Sequence, residues 1–205
     1  MVKFTLKSII VTLLGFTAVP ILTIFLIPII IWTRFSSKVR DLYYTVCFGG
    51  LQSTFGRPIR SVRAKLFSKL IDSVGEDIHR KKVVEIGPGY GENFGYYPSN
   101  TRLTTLELNP VLKSIANHLE TKYPNVQIVE SIIGNAESMV NVVDDQSVDI
   151  VIGTQILCCI ERTHEALCEI RRILKPGGQF YFLELTSFTG NDPYWLRLMQ
   201  VSLRH

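Results

Sequence analysis

The chain from Lys82 onward alternates short apolar runs with stretches of helical pattern, and this alternation limits the possible folds more than any other feature. The apolar runs "KVVEIG", "RLTTLEL", "VQIVESII", "VDIVIGTQ" and "GQFYFLEL" predict five strands. Helices are predicted over 109–123, in parts of 136–143 and over 164–174. Strands joined by crossover helices form a parallel sheet covered on both faces, and such sheets bind ligands at the carboxyl ends of their strands. We therefore predict an α/β domain.

A glycine-rich stretch, "VVEIGPGYGENF", lies at the end of the first predicted strand. Gly87, Gly89 and Gly91 allow a sharp turn with positive φ and leave no Cβ between backbone and ligand. Glu85 stands inside the strand, where a carboxylate is costly to bury unless a cation or a hydrogen-bond donor meets it. The stretch predicts a ligand-binding turn, although a purely structural turn or another kind of nucleotide site remains open.

The second predicted strand ends in Glu107, about twenty residues after Glu85, where an acid accepts hydrogen bonds from ribose hydroxyls in dinucleotide folds. The glycine spacing is E-x-G-x-G-x-G rather than G-x-G-x-x-G, so the third glycine comes one residue too early for a dinucleotide site. The acid and the glycines together favour an adenosine-type cofactor.

The N-terminus carries no charged residue from 8 to 33. As a helix this stretch would be roughly 39 Å long, enough for a hydrocarbon core of about 30 Å. We predict that residues 1–34 form a membrane anchor, because a signal peptide has a shorter apolar region and a small-residue cleavage site. Pro20 and Pro28 leave open a kinked span or a bent hairpin in one leaflet.

Charge is unevenly distributed along the chain. Up to Lys82 there are 13 Lys and Arg against 4 Asp and Glu, and from Val83 onward 9 against 14. Basic residues beside an apolar segment suit a membrane surface, so membrane lipid is an expected partner; alternatively they only cover a solvated helix face. Basic residues after the apolar run slightly outnumber those before it, which favours a cytosolic body. No basic stripe interleaved with aromatic residues marks the body, so no nucleic-acid partner is predicted.

The segment between the anchor and the sheet is predicted to have two parts. Residues 35–58 are rich in aromatic residues and glycine and are interpreted as a juxtamembrane connector, resting in the interface. Apolar residues then recur at three- and four-residue steps, which predicts an amphipathic helix ending near Gly75 and opening a domain over 59–205. Its basic residues are expected largely on the other faces; they are Arg60, Arg63, Lys65 and Lys69.

The cysteines and histidines indicate neither a disulfide framework nor a metal site. Four cysteines show no paired ligand spacing, which favours a reducing environment, and four histidines are scattered. Cys158 and Cys159 lie in the apolar run "IVIGTQILCCI" and are predicted to be buried and inert rather than nucleophilic.

Several segments, taken in order, resemble the successive motifs of class I S-adenosylmethionine-dependent methyltransferases over about 82–184. They are "VVEIGPGYG", "LTTLELNP", "IIGNAESM", "VDIVIGTQIL" and "ILKPGGQFYFLE". With the apolar N-terminus and "LFSKL", they are similar to the membrane-anchored methyltransferase-like family of the endoplasmic reticulum and lipid droplets, which methylates small thiols. The resemblance implies a Rossmann-like sheet, S-adenosylmethionine as cofactor, a small-molecule methyl acceptor and a location at those membranes.

The resemblance also implies site residues. It puts Glu85 near the amino group of the methionine moiety, Glu107 on the ribose and Thr154 with Gln155 near the methyl group, unless those two are only a polar strand end. Asn135 replaces an acid that often contacts the adenine amine, and its side-chain carbonyl keeps that contact at a cost of about 1 kcal/mol. The implied cofactor-binding set is Glu85, Gly87, Pro88, Gly89, Gly91, Glu107, Leu108, Asn135, Ala136 and Thr154.

No catalytic residue is assigned. A thiol acceptor with a pKa of about 8.5 supplies some thiolate by itself, so a dedicated base is not compulsory. Glu184, at the end of the fifth strand, is a conceivable helper but is better explained as a residue that caps local structure.

The chain departs from the class pattern after Leu185. A closing β-hairpin is expected there, but only a turn and one helix fit, with Asp192 as N-cap and Pro193 at the first helical position. The fifth strand would then be an unprotected edge open to self-association. Two functions remain open. The first is a membrane-anchored methyltransferase that acts on a small lipophilic acceptor, with a thiol as the preferred acceptor and a lipid or quinone as the next choice. The second is a catalytically inactive membrane or lipid-droplet surface protein with a remnant of the fold.

Overall fold

The computed structural model describes residues 36–184. The predicted membrane anchor and the predicted C-terminal turn and helix lie outside the described residues. The chain divides into two compact units, with the boundary between Gly56 and Arg57. Within the described range, no helix combines the length and the apolar character needed to cross a membrane.

Five parallel strands form one sheet in the order β3-β2-β1-β4-β5, as the apolar runs predicted. In the centre, β1 is flanked by β2 and β4, and all four of its residues are buried, as expected for a parallel strand covered on both faces. The strands are β1 (Val83–Ile86), β2 (Thr101–Glu107), β3 (Val126–Ile133), β4 (Val148–Thr154) and β5 (Leu174–Leu183).

The register aligns the ends of the strands. Ile86 lies opposite Leu106 on one side and Gly153 on the other. Because all strands are parallel, the residues that end or follow them meet at one border of the sheet, here called the carboxyl edge. The glycine turn after β1, the acid that ends β2 and the polar end of β4 therefore come together.

Three α-helices are described: α1 (Ser37–Val74), α2 (Pro110–Leu119) and α3 (Thr163–Ile173). Helix α1 ends directly before Gly75, as predicted, but it starts at Ser37, so most of the predicted connector is helical. Helix α2 falls within the predicted stretch 109–123, and α3 starts and ends one residue before the predicted stretch 164–174.

The predicted helix within 136–143 is wrong. Residues here form turns, since the side-chain oxygen of Asn135 accepts a hydrogen bond from the Glu137 N–H at 3.0 Å. The carboxylate of Glu169 accepts the N–H of Met139. Such side-chain to backbone bonds compete with helical hydrogen bonding, so the apolar residues of the stretch reach the core from turns.

Apolar side chains cover both faces of the sheet. Alternate residues of a strand point to opposite faces, so Val84 packs with α3 while Val83 packs with the Phe67 and Leu70 side chains of α1. The Phe67 ring packs edge to face on the Tyr97 ring, with 4.9 Å between centroids. Because Phe67 and Leu70 are almost fully buried, each contributes about 2 kcal/mol. These contacts fix the C-terminal part of α1 beside the loop that follows β1.

Candidate functional site

The glycine turn after β1 has the conformation that its sequence predicted. Gly87, Gly89 and Gly91 have φ values of 65°, 55° and 68°, in the left-handed region that favours glycine. A Cβ on Gly87 would lie 2.5 Å from Cδ1 of Ile156. Both the backbone angle and the close approach of Ile156 therefore require glycine at position 87.

A matched pair of substitutions separates these two requirements. Gly177 also has a positive φ of 80°, but nothing lies within 4 Å of its Cβ position. We expect Gly177→Ala to lower the free energy of unfolding by about 1 kcal/mol through backbone strain, and Gly87→Ala by about 3 kcal/mol because Ile156 must also move. Denaturant unfolding of both variants measures this, and Ile156→Val should reduce the cost of Gly87→Ala. Equal costs for the two glycines would show that Ile156 does not constrain the turn.

Glu85 is completely buried, and two side chains meet its carboxylate. Oε1 accepts a hydrogen bond from Nδ2 of Asn93 at 2.8 Å, and Oε2 accepts one from the hydroxyl of Tyr97 at 2.7 Å. Burial raises the pKa of Glu85 to about 7, although the two hydrogen bonds oppose that shift. The donors that a buried acid requires thus come from the protein. Contact of Glu85 with a cofactor amino group stays a prediction.

Asn93 connects the ends of β1 and β4. Its Nδ2 also donates to Oγ1 of Thr154 at 2.9 Å, and it is 2% exposed. Neither Asn93 nor Tyr97 was found from the sequence. Loop positions follow no period, so a single sequence offers no signal for these two residues.

Glu107 lies against the glycine turn, as predicted from its position at the end of β2. Oε2 accepts the N–H of Gly89 at 3.3 Å, and Oε1 accepts the N–H of Asn109 at 3.0 Å. Burial raises the pKa of Glu107, which is 7% exposed. Pro88 of the turn is buried, whereas Leu108 beyond Glu107 is 65% exposed. The carboxylate thus has one backbone donor from the turn and one from its own strand end.

The residues after β3 lie next to Glu107. The N–H of Gly134 donates to the backbone oxygen of Glu107 at 3.1 Å. The side-chain oxygen of Asn135, predicted to contact adenine, already accepts the N–H of Glu137 and keeps a second lone pair. Ala136 is buried in the core. The adenine contacts of Asn135 and Ala136 stay predictions.

Arg63 is buried beside the end of β4, so its expected place on a solvent-facing side of α1 is wrong. It is 4% exposed, and its Nη2 donates to Oε1 of Gln155 at 3.3 Å. Nε is buried without a partner. The sequence did hold a signal, because Arg63 lies four residues before Phe67 and therefore shares its helix face. Gln155 itself has a φ of 55°, unusual for a residue other than glycine.

Cys158 and Cys159 are exposed, so their predicted burial is also wrong. The chain leaves the sheet after Thr154 and turns, which carries both residues out of the apolar environment that the strand pattern suggested. Their sulfur atoms are 3.8 Å apart. The pKa of Cys159 is lowered to about 7, chiefly because the Cys158 thiol donates a hydrogen bond to its sulfur.

Glu184 holds the same turn, in agreement with its predicted capping role. Its Oε1 accepts the N–H groups of Ile156 and Leu157 at 2.9 and 2.8 Å. Oε2 is buried without a partner. Across residues 36–184, no three His, Cys, Asp or Glu side chains cluster in a way that would hold a metal ion.

The sequence of the chain is similar to those of known methyltransferases. Residues 84–182 match the family described as methyltransferase domain. Human thiol S-methyltransferase TMT1A is 33% identical over 135 residues, which cover 63% of this chain and 52% of that protein. Rat thiol S-methyltransferase TMT1B is 27% identical over 165 residues, which cover 80% of this chain and 67% of that protein. The chain therefore spans about half to two thirds of the length of these curated relatives.

The fold is also found among solved structures. A structure from Methanococcus maripaludis, assigned to the S-adenosyl-L-methionine-dependent methyltransferases, superposes with a TM-score of 0.54 at 19% identity. The superposition covers 78% of this chain and 68% of that one. At this identity the similarity concerns the fold alone.

Proposed function

We propose that this chain, which belongs to the class I S-adenosylmethionine-dependent methyltransferases, transfers a methyl group from S-adenosylmethionine to a small lipophilic thiol at a membrane surface. One observation carries the proposal: the glycine turn and Glu107 meet at the carboxyl edge, joined by the 3.3 Å bond from the Gly89 N–H. The relatives named above support a thiol as acceptor, because they are thiol S-methyltransferases.

The residues of the carboxyl edge fit S-adenosylmethionine on three observations. The turn after β1 contains three glycines with positive φ, a type of turn whose backbone can approach a ligand closely. The acids Glu85, Glu92 and Glu107 lie in or beside this turn, and a cofactor that carries a sulfonium and an ammonium group has a net positive charge that suits them. Nε of Arg63 is a buried donor without a partner.

The proposed chemistry demands positioning more than acid or base catalysis. When bound, S-adenosylmethionine supplies an electrophilic methyl group, and its transfer to a thiolate sulfur yields a methyl thioether and S-adenosylhomocysteine. The thiol proton is lost to solvent, because a thiol of pKa about 8.5 ionises without a dedicated base. The protein orients the reactants and excludes water. In this proposal Thr154 and Gln155, which end and follow β4, face the methyl group or the acceptor.

The proposal includes a membrane location. The uncharged stretch 8–33 is long enough to enter a bilayer, and basic residues adjoin it. A lipophilic acceptor dissolved in the membrane would reach a body tethered there at a raised local concentration. The endoplasmic reticulum or lipid droplets are the proposed membranes, with the body in the cytosol.

The test uses the full chain in phospholipid vesicles with S-adenosylmethionine. We expect a lipophilic alkyl thiol to yield thioether and S-adenosylhomocysteine in equal amounts, while the alcohol of the same chain length yields almost none. At pH values below the thiol pKa, the rate should rise nearly tenfold per pH unit, because the fraction of the acceptor present as thiolate rises by the same factor. Mass spectrometry of both products measures this.

Two results would contradict the proposal. Product from lipids or quinones but not from thiols would show that the acceptor class is wrong. Absence of product from every acceptor, with folded protein recovered on the vesicles, would support the inactive remnant instead.

A further inference from the structure

Arg63 is a buried cation with unused hydrogen-bonding capacity. It is 4% exposed, Gln155 accepts from its Nη2, and its Nε has no partner. Burying a guanidinium group is costly unless its donors are paired. Nε and Nη2 lie on one side of the planar group and form a fork that a carboxylate matches with two hydrogen bonds.

The acids of the site do not accept hydrogen bonds from the Nε and Nη2 groups of Arg63. Both carboxylate oxygens of Glu85 accept hydrogen bonds from other side chains, those of Asn93 and Tyr97. Burial raises the pKa of Glu92, and the positive charge of Arg63 partly opposes that shift. In the described part of the chain, however, no carboxylate forms an ion pair with Arg63. The group is therefore more than a counter-ion for its neighbours.

The position of Arg63 matches one end of the proposed cofactor. Glu107 ends β2 and Gln155 follows β4, and these strands flank β1, so about 10 Å separates them. A ligand with its ribose at Glu107 crosses the glycine turn and brings its methionine end towards Gln155 and Arg63. That end carries an ammonium, which suits Glu92, and a carboxylate, which suits Arg63.

We infer that Arg63 binds the α-carboxylate of the methionine moiety of S-adenosylmethionine. This inference rests on the proposed function, since it assigns a ligand group within the same site. It makes Arg63 a residue that distinguishes S-adenosylmethionine from adenosyl compounds without a carboxylate.

Calorimetry on the full chain in detergent micelles tests the inference with two ligands, S-adenosylmethionine and its decarboxylated analogue. We expect the unmodified chain to bind S-adenosylmethionine about 50-fold more tightly than the analogue, as a bidentate charged pair allows. Arg63→Met should remove that preference by weakening S-adenosylmethionine about 50-fold while leaving the analogue within about threefold. Arg60→Met, at an exposed position of the same helix, should bind both ligands like the unmodified chain.

The outcomes are distinct. Equal affinity of the unmodified chain for both ligands would overturn the inference and leave the proposed function standing. Equal weakening of both ligands by Arg63→Met would show a purely structural role and overturn it as well. Binding of neither ligand by folded, unmodified chain would overturn both. If Arg63→Met does not fold, Arg63→Lys replaces it, and the comparison of the two ligands on the unmodified chain needs no variant.

Discussion

Glu107→Gln will lower the affinity of the chain for S-adenosylmethionine about 100-fold. The carboxylate accepts two charge-assisted hydrogen bonds from the ribose hydroxyls, whereas the amide accepts one neutral bond and turns its NH2 donor towards the other hydroxyl. At roughly 1.5 kcal/mol for each bond the loss is about 3 kcal/mol, or about two powers of ten. The amide keeps an oxygen for the N–H of Asn109, so the strand end is preserved, whereas its NH2 group cannot accept the N–H of Gly89 and that bond is lost. Titration calorimetry on the full chain measures the dissociation constant.

The control for this prediction is Glu130→Gln, which removes the same charge from an exposed position of β3. It should leave the affinity unchanged within about twofold, since an exposed charge at a distance is screened. If the two variants bind equally well, Glu107 does not contact the ribose. A loss of folding in Glu107→Gln would be visible in the unfolding curve before any titration.

Raising the pH from 4.5 to 8 will destabilise the ligand-free chain through Glu85. Its pKa is about 7 in the folded state against an ordinary value of 4.5, so between these values the folded state holds a proton that the unfolded state has lost. The contribution of Glu85 is complete below pH 4.5 and is lost as the pH rises through about 7. The total is on the order of 3 kcal/mol.

Glu85→Gln should remove this dependence, because the amide stays neutral and can still accept the hydrogen bond from Asn93. At pH 8 the variant is expected to be the more stable protein by on the order of 3 kcal/mol, whereas near pH 4.5 the two should be nearly equal. Denaturant unfolding at intervals of one pH unit measures the difference. Burial raises the pKa of Glu92 and Glu107 too, but both remain in the variant, so the difference isolates Glu85.

A difference between the two proteins that is constant from pH 4.5 to 8 would contradict the assignment of this proton to Glu85. The substitution would then be reporting packing or hydrogen bonding alone. A difference of the opposite sign would indicate that the charged carboxylate is the form that the folded protein stabilises.

Several elements were predictable because their signals are local. Strands β1 to β5 were found from apolar runs of the right length, and α3 was found from its helical period. The turns of the stretch 136–143 were not predicted. They are held by the side chains of Asn135 and Glu169, and Glu169 lies far along the chain.

The sequence by itself determined the sheet, the positive-φ glycine turn and the position of Glu107 beside it. These depend on strand period, on the conformational freedom of glycine and on the rule that parallel strands end at one edge. Tertiary structure alone decided the partners of Glu85 and the exposure of Cys158 and Cys159. It also decided that the partner of Arg63 is Gln155, 92 residues further on. The physical reason is that the burial and pairing of a polar group depend on neighbours brought together by folding, which no local pattern records.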